Sequence, residues 1–149
     1  MTDAQLPAAP EKSPAIMPAE GSAGDLSPRA AWDLVTSGSA TLIDVRTTEE
    51  RSFVGRVPGS EHVAWATGTA MMRNPNFVRQ VSAIAAKDTT LVLLCRSGKR
   101  SASAAEALTK AGFARVFNIA EGFEGDLDDN GQRGRIDGWR FRGLPWEQD

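Results

Sequence analysis

The feature that most constrains this chain is a short apolar run that leads directly into its only cysteine, Cys95. Residues 91–94 read Leu-Val-Leu-Leu, and a short, continuous apolar run bounded by polar residues is typical of a buried strand in a parallel sheet. After Cys95 the chain becomes polar and cationic, and an alanine-rich segment at residues 101–111 then favours a helix that stops at Gly112. The sequence therefore places Cys95 between the end of a strand and the start of a helix.

The rest of the chain alternates predicted helices and strands. One helix is expected after Ser27, with Pro28 at its first position, and it stops at Gly38. Residues 47–50 resemble a capping sequence that opens a second helix, and the spacing of apolar residues between 74 and 86 predicts a third. Further short strands are predicted at residues 41–46, 60–65 and 115–119. This alternation favours an α/β domain with a mainly parallel sheet, in which ligands bind beyond the carboxyl ends of the strands.

The two ends of the chain differ from this middle part. Residues 1–23 are rich in proline and alanine and contain few large apolar side chains, so we interpret them as a disordered tail, with a docking segment as the alternative. Residues 24–149 are assigned to one folded domain. Within it, residues 122–138 are rich in glycine and charge and predict a loop. Three aromatic residues are expected to anchor the C-terminal segment that follows, namely Trp139, Phe141 and Trp146.

Composition limits both the stabilising devices and the partners of the chain. One cysteine and one histidine can form neither an internal disulfide nor a tetrahedral zinc site, and we expect neither a metal nor a cofactor. The 17 basic and 19 acidic residues are nearly balanced, which argues against a nucleic acid or a membrane as partner. The first residues lack the pattern of a secretory signal and no run is long and apolar enough for a membrane span, so the expected location is cytoplasmic.

The segment around Cys95 combines features that activate a thiol. A thiolate is stabilised by a helix N-terminus and by nearby cations, and both are expected here. Gly98 allows sharp curvature, so that successive backbone N–H groups point at the sulfur or at a bound anion. The positive charge of Arg96, Lys99 and Arg100 suits an anionic substrate. The alternative is that Cys95 is a small, buried and inert residue at the end of a strand.

Three motifs follow one another along the chain. The first joins Ile-Asp-Val-Arg at residues 43–46 to Gly-Arg-Val-Pro-Gly at 55–59, the second is Cys-Arg-Ser-Gly-Lys-Arg-Ser at 95–101, and the third is Asn-Ile-Ala-Glu-Gly at 118–122. Together they resemble the rhodanese-type sulfurtransferases, especially the single-domain kind, although an arginine replaces the usual histidine of the first motif and a glutamate replaces a frequent glycine of the third. The resemblance implies a rhodanese-like α/β fold, with a central, mainly parallel sheet of about five strands flanked by helices.

The resemblance also implies a persulfide mechanism. The Cys95 thiolate takes the outer sulfur of an anionic donor such as thiosulfate, sulfite leaves, and a thiol or cyanide then removes the sulfur. Asp44 and Arg46 are expected to support the loop without touching the substrate. Because the chain has no second cysteine, the acceptor must be an external thiol or a protein sulfur acceptor. The expected substrate-binding residues are those that follow the cysteine, Arg96, Ser97, Gly98, Lys99, Arg100 and Ser101.

Two other activities are alternatives to this interpretation. A sulfur-relay or binding module would form the same persulfide but act with a protein partner and show weak turnover with thiosulfate. A cysteine phosphatase or arsenate reductase would resemble the dual-specificity cell-cycle phosphatases, in which five residues separate the cysteine from an arginine. Here four residues separate Cys95 from Arg100, and the shorter loop favours a sulfur atom over a tetrahedral phosphate.

Two remaining patterns are given structural interpretations. Acidic residues between Asp126 and Asp137 match the ligand spacing of a calcium loop, but Arg133 and Arg135 lie within it, and we interpret the segment as a solvated Asn-Gly turn. His62, the only histidine, could serve as a general base. Since a sulfur-transfer thiolate does not require one, we favour a structural or surface role for it.

Overall fold

The centre of the protein is a six-stranded, mainly parallel β-sheet, seen in a computed structural model that describes residues 16–149. In chain order the elements are β1 (Ile16–Met17), β2 (Gly24–Leu26), α1 (Pro28–Thr36), β3 (Thr41–Asp44), α2 (Thr48–Phe53), β4 (Glu61–His62), β5 (Ala66–Thr67), β6 (Met72–Arg73), α3 (Phe77–Ile84), β7 (Thr90–Leu94), α4 (Lys99–Lys110) and β8 (Arg115–Ile119). The strand order of the main sheet is β1-β2-β8-β7-β3-β4, and every pair is parallel except β1 with β2. Strands β5 and β6 form a separate antiparallel hairpin. The expected α/β fold with a mainly parallel sheet flanked by helices is confirmed.

The sheet has six strands where about five were expected. Strands β1 and β2 contain two and three residues, which is too few to produce a recognisable pattern in the sequence. Strand β1 falls within residues 1–23, the segment interpreted as a disordered tail, and residues 1–15 of that segment lie outside the described residues. The domain boundary at residue 24 stays a prediction.

Strand β7 belongs to both halves of the hydrophobic core. Leu91 and Leu93 pack in one cluster, which includes side chains of α3 and α4, whereas Val92 and Leu94 pack in the other, which includes α1 and the C-terminal segment. All four side chains are fully buried. Burial on both faces explains why residues 91–94 form a continuous apolar run, and it fixes the position of the cysteine that follows.

The predicted starts of α1 and α2 are confirmed. Ser27 Oγ accepts a hydrogen bond from Ala30 N, and Pro28 is the first residue of α1. In α2, Thr47 Oγ1 accepts from Glu50 N at 3.2 Å and Glu50 Oε1 accepts from Thr47 N at 3.0 Å, which completes a capping box. These bonds satisfy N–H groups that a helix start leaves without intrahelical partners. Within residues 16–149, none of the helices has the length and apolar character needed to cross a membrane.

The C-terminal segment is anchored mainly by Trp139. This side chain is fully buried and meets Trp32 edge-on, with 5.6 Å between the ring centroids. Leu144, which no sequence pattern indicated, is also buried. The two other predicted anchors are less buried: Phe141 is half-buried, and Trp146 is 40% exposed and contacts Phe123 edge-on.

Candidate active site around Cys95

The thiol of Cys95 lies where the sequence predicts, after β7 and before α4. Its side chain is 1% exposed. The sulfur accepts a hydrogen bond from Gly98 N at 3.1 Å and lies 3.1 Å from Ser101 Oγ. Gly98 is the N-cap of α4 and has φ of +99°, a backbone conformation that a residue with a side chain adopts only under strain. A glycine at this position therefore allows the loop to turn its own N–H group back onto the sulfur.

The N-terminus of α4 offers further donors to a group bound at the sulfur. Among the described residues, the backbone N–H groups of Lys99, Arg100 and Ser101 have no acceptor, as expected for the first turn of a helix. The 12-residue helix also directs its positive dipole end toward Cys95. The arrangement suits negative charge on, or next to, the sulfur.

The three cations of the loop are not equivalent. Arg96 and Lys99 are exposed, and neither side chain forms an ion pair with another residue in the described part of the chain. Arg100 instead binds the carboxylate of Glu50 in a two-point contact, with distances of 2.8 Å from Nη1 to Oε1 and 2.7 Å from Nη2 to Oε2. The charge of Arg100 is thus largely neutralised by a residue of α2. The sequence predicts only a capping role for Glu50, because this contact joins residues 50 positions apart in the chain.

The Glu50–Arg100 pair is ionised at neutral pH. Burial by itself raises the pKa of Glu50, but the hydrogen bonds from Arg100 and Thr47 and the positive charge of Arg100 outweigh it and lower that pKa to about 2. The hydrogen bond to Glu50 raises the pKa of Arg100 above its ordinary value, against the opposing effect of burial. The pair therefore fastens the cysteine loop to the start of α2 over the whole physiological pH range.

The glycine turn after β8 forms backbone hydrogen bonds with the start of the cysteine loop. Phe123 N donates to Cys95 O at 2.8 Å, and Glu124 N donates to Arg96 O at 3.0 Å. Gly122 has φ of +68°, and a Cβ atom there would come within 2.5 Å of the Arg96 carbonyl group. The close approach of the two backbones explains why the third sequence motif ends in glycine.

Glu121 occupies a left-handed conformation, with φ of +72°, in the position where the family frequently has glycine. Its carboxylate binds Arg142 Nε at 2.9 Å and accepts a hydrogen bond from Gly138 N at 2.9 Å. These contacts connect the turn under the cysteine loop to the C-terminal segment beyond the loop at 122–138. Sequence reasoning could not pair Glu121 with Arg142, because 20 residues of irregular chain separate them.

Asp44 and Arg46 form no hydrogen bond with Cys95, and their expected role in supporting the loop stays a prediction. Both side chains are fully buried. Asp44 accepts from Arg46 Nε at 3.0 Å and Nη2 at 2.8 Å, and also from Arg51 Nη1 at 3.0 Å. The Arg46 guanidinium stacks over the ring of Phe123, 4.3 Å from its centroid. The buried carboxylate thereby obtains the partners that its burial requires.

Asn118 is a residue of the site that sequence reasoning did not assign. It lies on β8, where its Oδ1 atom accepts a short hydrogen bond from Ser101 Oγ and its Nδ2 atom donates to Asp25 Oδ1 at 3.2 Å. A buried polar residue within the otherwise apolar strand at 116–119 is the signal that could have revealed it.

The β5–β6 hairpin contributes a methionine beside the loop. Met71 Sδ lies 3.9 Å from Arg100 Nη1, and the side chain is 43% exposed. Met71 also has a left-handed backbone, with φ of +53°. The hairpin therefore borders the site on the side of the Glu50–Arg100 pair.

His62 and the segment from Asp126 to Asp137 both form contacts with the backbone. His62 Nε2 lies 2.7 Å from the Arg46 carbonyl oxygen and makes no contact with the thiol. In the segment from Asp126 to Asp137, Asp128 Oδ1 accepts hydrogen bonds from Asn130 N and Gln132 N, both at 2.9 Å. The first contact fits a structural role for the histidine, and the second describes a turn closed by an aspartate side chain.

In the mainly parallel sheet, the buried Cys95 lies between the end of β7 and the N-terminus of α4. These features define an α/β domain with a cysteine site at the carboxyl end of a central strand. The family model described as "Rhodanese-like domain" matches residues 27–128. The protein therefore belongs to the rhodanese-like domain family, as its three motifs predict.

Known relatives agree with this membership. The chain is 39% identical to Rv0390 from M. tuberculosis, whose crystal structure matches with a TM-score of 0.78 over 86% of this chain and 99% of that one. The uncharacterized protein RP600 of Rickettsia prowazekii is 34% identical over 76% of this chain and 88% of the relative. Thiosulfate sulfurtransferase 16, chloroplastic, of Arabidopsis thaliana is 36% identical over 80% of this chain and 89% of the relative. Some members of the family thus carry the name of an activity.

Proposed function

We propose that this protein is a sulfurtransferase that moves sulfane sulfur from an anionic donor such as thiosulfate to a thiol or cyanide through a persulfide on Cys95. The observation that carries the proposal is the position of the sulfur, which accepts a hydrogen bond from Gly98 N at the N-terminus of α4. A thiolate is the nucleophile that sulfur transfer requires, and this environment stabilises negative charge on the sulfur.

The proposed reaction has two balanced steps. The Cys95 thiolate attacks the outer sulfur of thiosulfate, a new S–S bond forms, and the old S–S bond breaks with its electron pair leaving on sulfite. An acceptor thiolate or cyanide then attacks the outer sulfur of the persulfide and leaves Cys95 as a thiolate again. In both steps the N–H groups of Lys99, Arg100 and Ser101, which have no acceptor among residues 16–149, are available to the negative charge of the outer sulfur.

Exposed cations at the loop support an anionic donor. Arg96 and Lys99 stand at the surface without an ion pair in the described part of the chain, so their charge is available to attract thiosulfate. Arg100, which is held by Glu50, contributes less to this attraction than its sequence position suggested. The substrate-binding role assigned to residues 96–101 is a proposal that rests on these contacts.

The acceptor is proposed to be an external thiol. The chain contains no second cysteine that could remove the sulfur from Cys95. A cytoplasmic location, where thiols are kept reduced, fits this proposal and stays a prediction.

Mass spectrometry tests the proposal directly. Incubation with thiosulfate should add the mass of one sulfur atom to the wild-type protein, with release of sulfite, and should leave Cys95→Ser unmodified. Later addition of cyanide or a small thiol should return the wild-type protein to its original mass. An unmodified wild-type protein would contradict the proposal.

Two further measurements separate the alternatives. A persulfide that forms completely but is discharged quickly only by a protein thiol would favour a sulfur-relay module. Turnover of an aryl phosphate that is lost in Cys95→Ser would favour a phosphatase instead.

A further inference from the structure

A chain of three hydrogen-bonding contacts runs from the sulfur of Cys95 to a carboxylate on β2. Ser101 Oγ lies 3.1 Å from Cys95 Sγ and also donates to Asn118 Oδ1, whose amide nitrogen donates to Asp25 Oδ1 at 3.2 Å. Asp25 and Asn118 are direct neighbours in the register of β2 and β8. Ser101 is fully buried and Asn118 is 3% exposed, so solvent water does not replace these partners.

The direction of each hydrogen bond follows from the chemistry of the groups. An ionised carboxylate only accepts, so the NH₂ group of Asn118 must face Asp25. The carbonyl oxygen of the same amide then faces Ser101, and it also only accepts. The Ser101 hydroxyl has a single proton, and two acceptors, Asn118 Oδ1 and Cys95 Sγ, lie within its reach.

The two protonation states of Cys95 make different demands on that proton. When the cysteine is a thiol, its S–H group donates to Ser101 Oγ and the serine donates to Asn118, so every buried group has a partner. When the thiol proton has left to solvent, the sulfur and Asn118 Oδ1 compete for the serine proton, and one buried acceptor is left without it. We propose that Asn118, oriented by Asp25, is a positioning residue that holds the Ser101 proton away from Cys95 and thereby limits the fraction of the cysteine present as thiolate.

The charged groups around the sulfur do not offer an equivalent restraint. Arg100 interacts with Cys95 through its charge, but its guanidinium is bound by Glu50. Arg96 and Lys99 point their charges into solvent, which screens them. Gly98 N donates to the sulfur in either state. The Ser101 hydroxyl therefore differs from these groups, because the direction in which it donates depends on Asn118 and, through Asn118, on Asp25.

Alkylation of the single cysteine measures this restraint. The rate with iodoacetamide follows the thiolate fraction, and it is measured from pH 5 to pH 10 by intact mass. Asn118→Leu removes the competing acceptor, so at pH 7 the rate should rise about fivefold, the factor that one net hydrogen bond represents. The plateau rate at high pH should stay unchanged, because access to the sulfur is the same.

A second substitution tests the orienting role of Asp25. In Asp25→Ala the amide of Asn118 is free to turn its NH₂ group toward Ser101, which releases the serine proton to the sulfur and should also raise the rate at pH 7. Removal of a negative charge acts in the same direction, so both substitutions are repeated with Ser101→Ala. The proposed effect disappears in that background, whereas an effect of charge alone persists.

Three results would contradict the proposed role of Asn118. An unchanged pH profile in both folded variants, an equal rise with and without Ser101, or a rise that extends to the plateau would each overturn the proposal. If Asn118→Leu fails to fold, Asp25→Ala, at a partly exposed position, carries the same test. The readout is the reactivity of the thiol itself, so it does not depend on whether thiosulfate is the donor.

Discussion

At the scale of single residues, the three cations of the loop differ in whether they are paired with a carboxylate of the described chain. Arg100 lies in the loop but is neutralised by Glu50, whereas Arg96 and Lys99 are exposed. An exposed charge acts on an anion mainly by attraction through solvent, and this attraction is weakened by salt. The preference of the loop for anionic donors should therefore depend on the two exposed residues more than on Arg100, which is half-buried and paired with Glu50.

We predict that Lys99→Ala raises the KM for thiosulfate roughly threefold at low ionic strength, with little change in kcat, because it removes long-range attraction and no contact with the sulfur. Steady-state kinetics at two salt concentrations checks this, and the difference from wild type should shrink at high salt. Lys110→Ala is the matched control, since Lys110 is an exposed lysine in the last turn of the same helix. Equal effects of the two substitutions would contradict the prediction.

A second prediction at this scale concerns Glu121, whose left-handed backbone is strained for any residue with a side chain. Glu121→Ala loses the contacts to Arg142 and Gly138 but keeps the strain, whereas Glu121→Gly loses the same contacts and relieves it. The alanine variant should therefore be less stable than the glycine variant by about 1 kcal/mol. Urea unfolding measures both, and equal stabilities would show that the strain is absent.

At the scale of elements, the predictable parts are those whose residues carry a local signal. The run at 91–94, the Ser27 cap and the capping box at Thr47 each specify their element through contacts with near neighbours, and each is confirmed. The parallel pairing of β2 with β8 depends on residues far apart in the chain, so no local sequence pattern predicts it. The same reason explains the candidate site: Cys95 and its loop were predictable, but the partners Glu50 and Asn118 approach it only after folding.

The clearest prediction for the elements concerns the buried carboxylate at the end of β3. Asp44→Asn should destabilise the protein by about 3 to 5 kcal/mol, because it leaves the fully buried Arg46 guanidinium without its counter-charge. The free energy of unfolding in urea at pH 7 measures the loss. Asp33→Asn, at an exposed position of α1, is the control and should change stability by less than about 0.5 kcal/mol. A loss below about 1 kcal/mol for Asp44→Asn would mean that Arg46 finds other partners.

At the scale of the whole molecule, the site is assembled from segments that lie far apart in sequence. The strand β7 supplies the cysteine from the middle of the sheet, β8 and the turn after it support the loop backbone, and α2 binds the loop through Glu50. Both hydrophobic clusters meet on β7, so the cysteine is held by the whole core rather than by one element. Contacts between the loop and distant elements should consequently contribute to global stability as well as to the geometry of the site.

The Glu50–Arg100 pair makes that contribution measurable through its dependence on pH. Because the pKa of Glu50 is about 2 in the folded protein and 4.5 is its ordinary value, the folded state binds fewer protons than the unfolded state between these pH values. The stabilisation is therefore complete above about pH 4.5 and is lost as the pH falls toward 2. Glu50→Gln should be less stable than wild type at neutral pH by about 1 to 3 kcal/mol, and the two stabilities should converge in acid.

Urea unfolding from pH 2.5 to pH 7 provides the comparison, with Glu49→Gln as the control. Glu49 is the adjacent carboxylate in the same helical turn, but its side chain is exposed. Its substitution should leave the acid dependence parallel to wild type, since no loop cation depends on it. If the difference between Glu50→Gln and wild type stayed constant down to pH 2.5, the stabilisation would not come from the ionised carboxylate of Glu50.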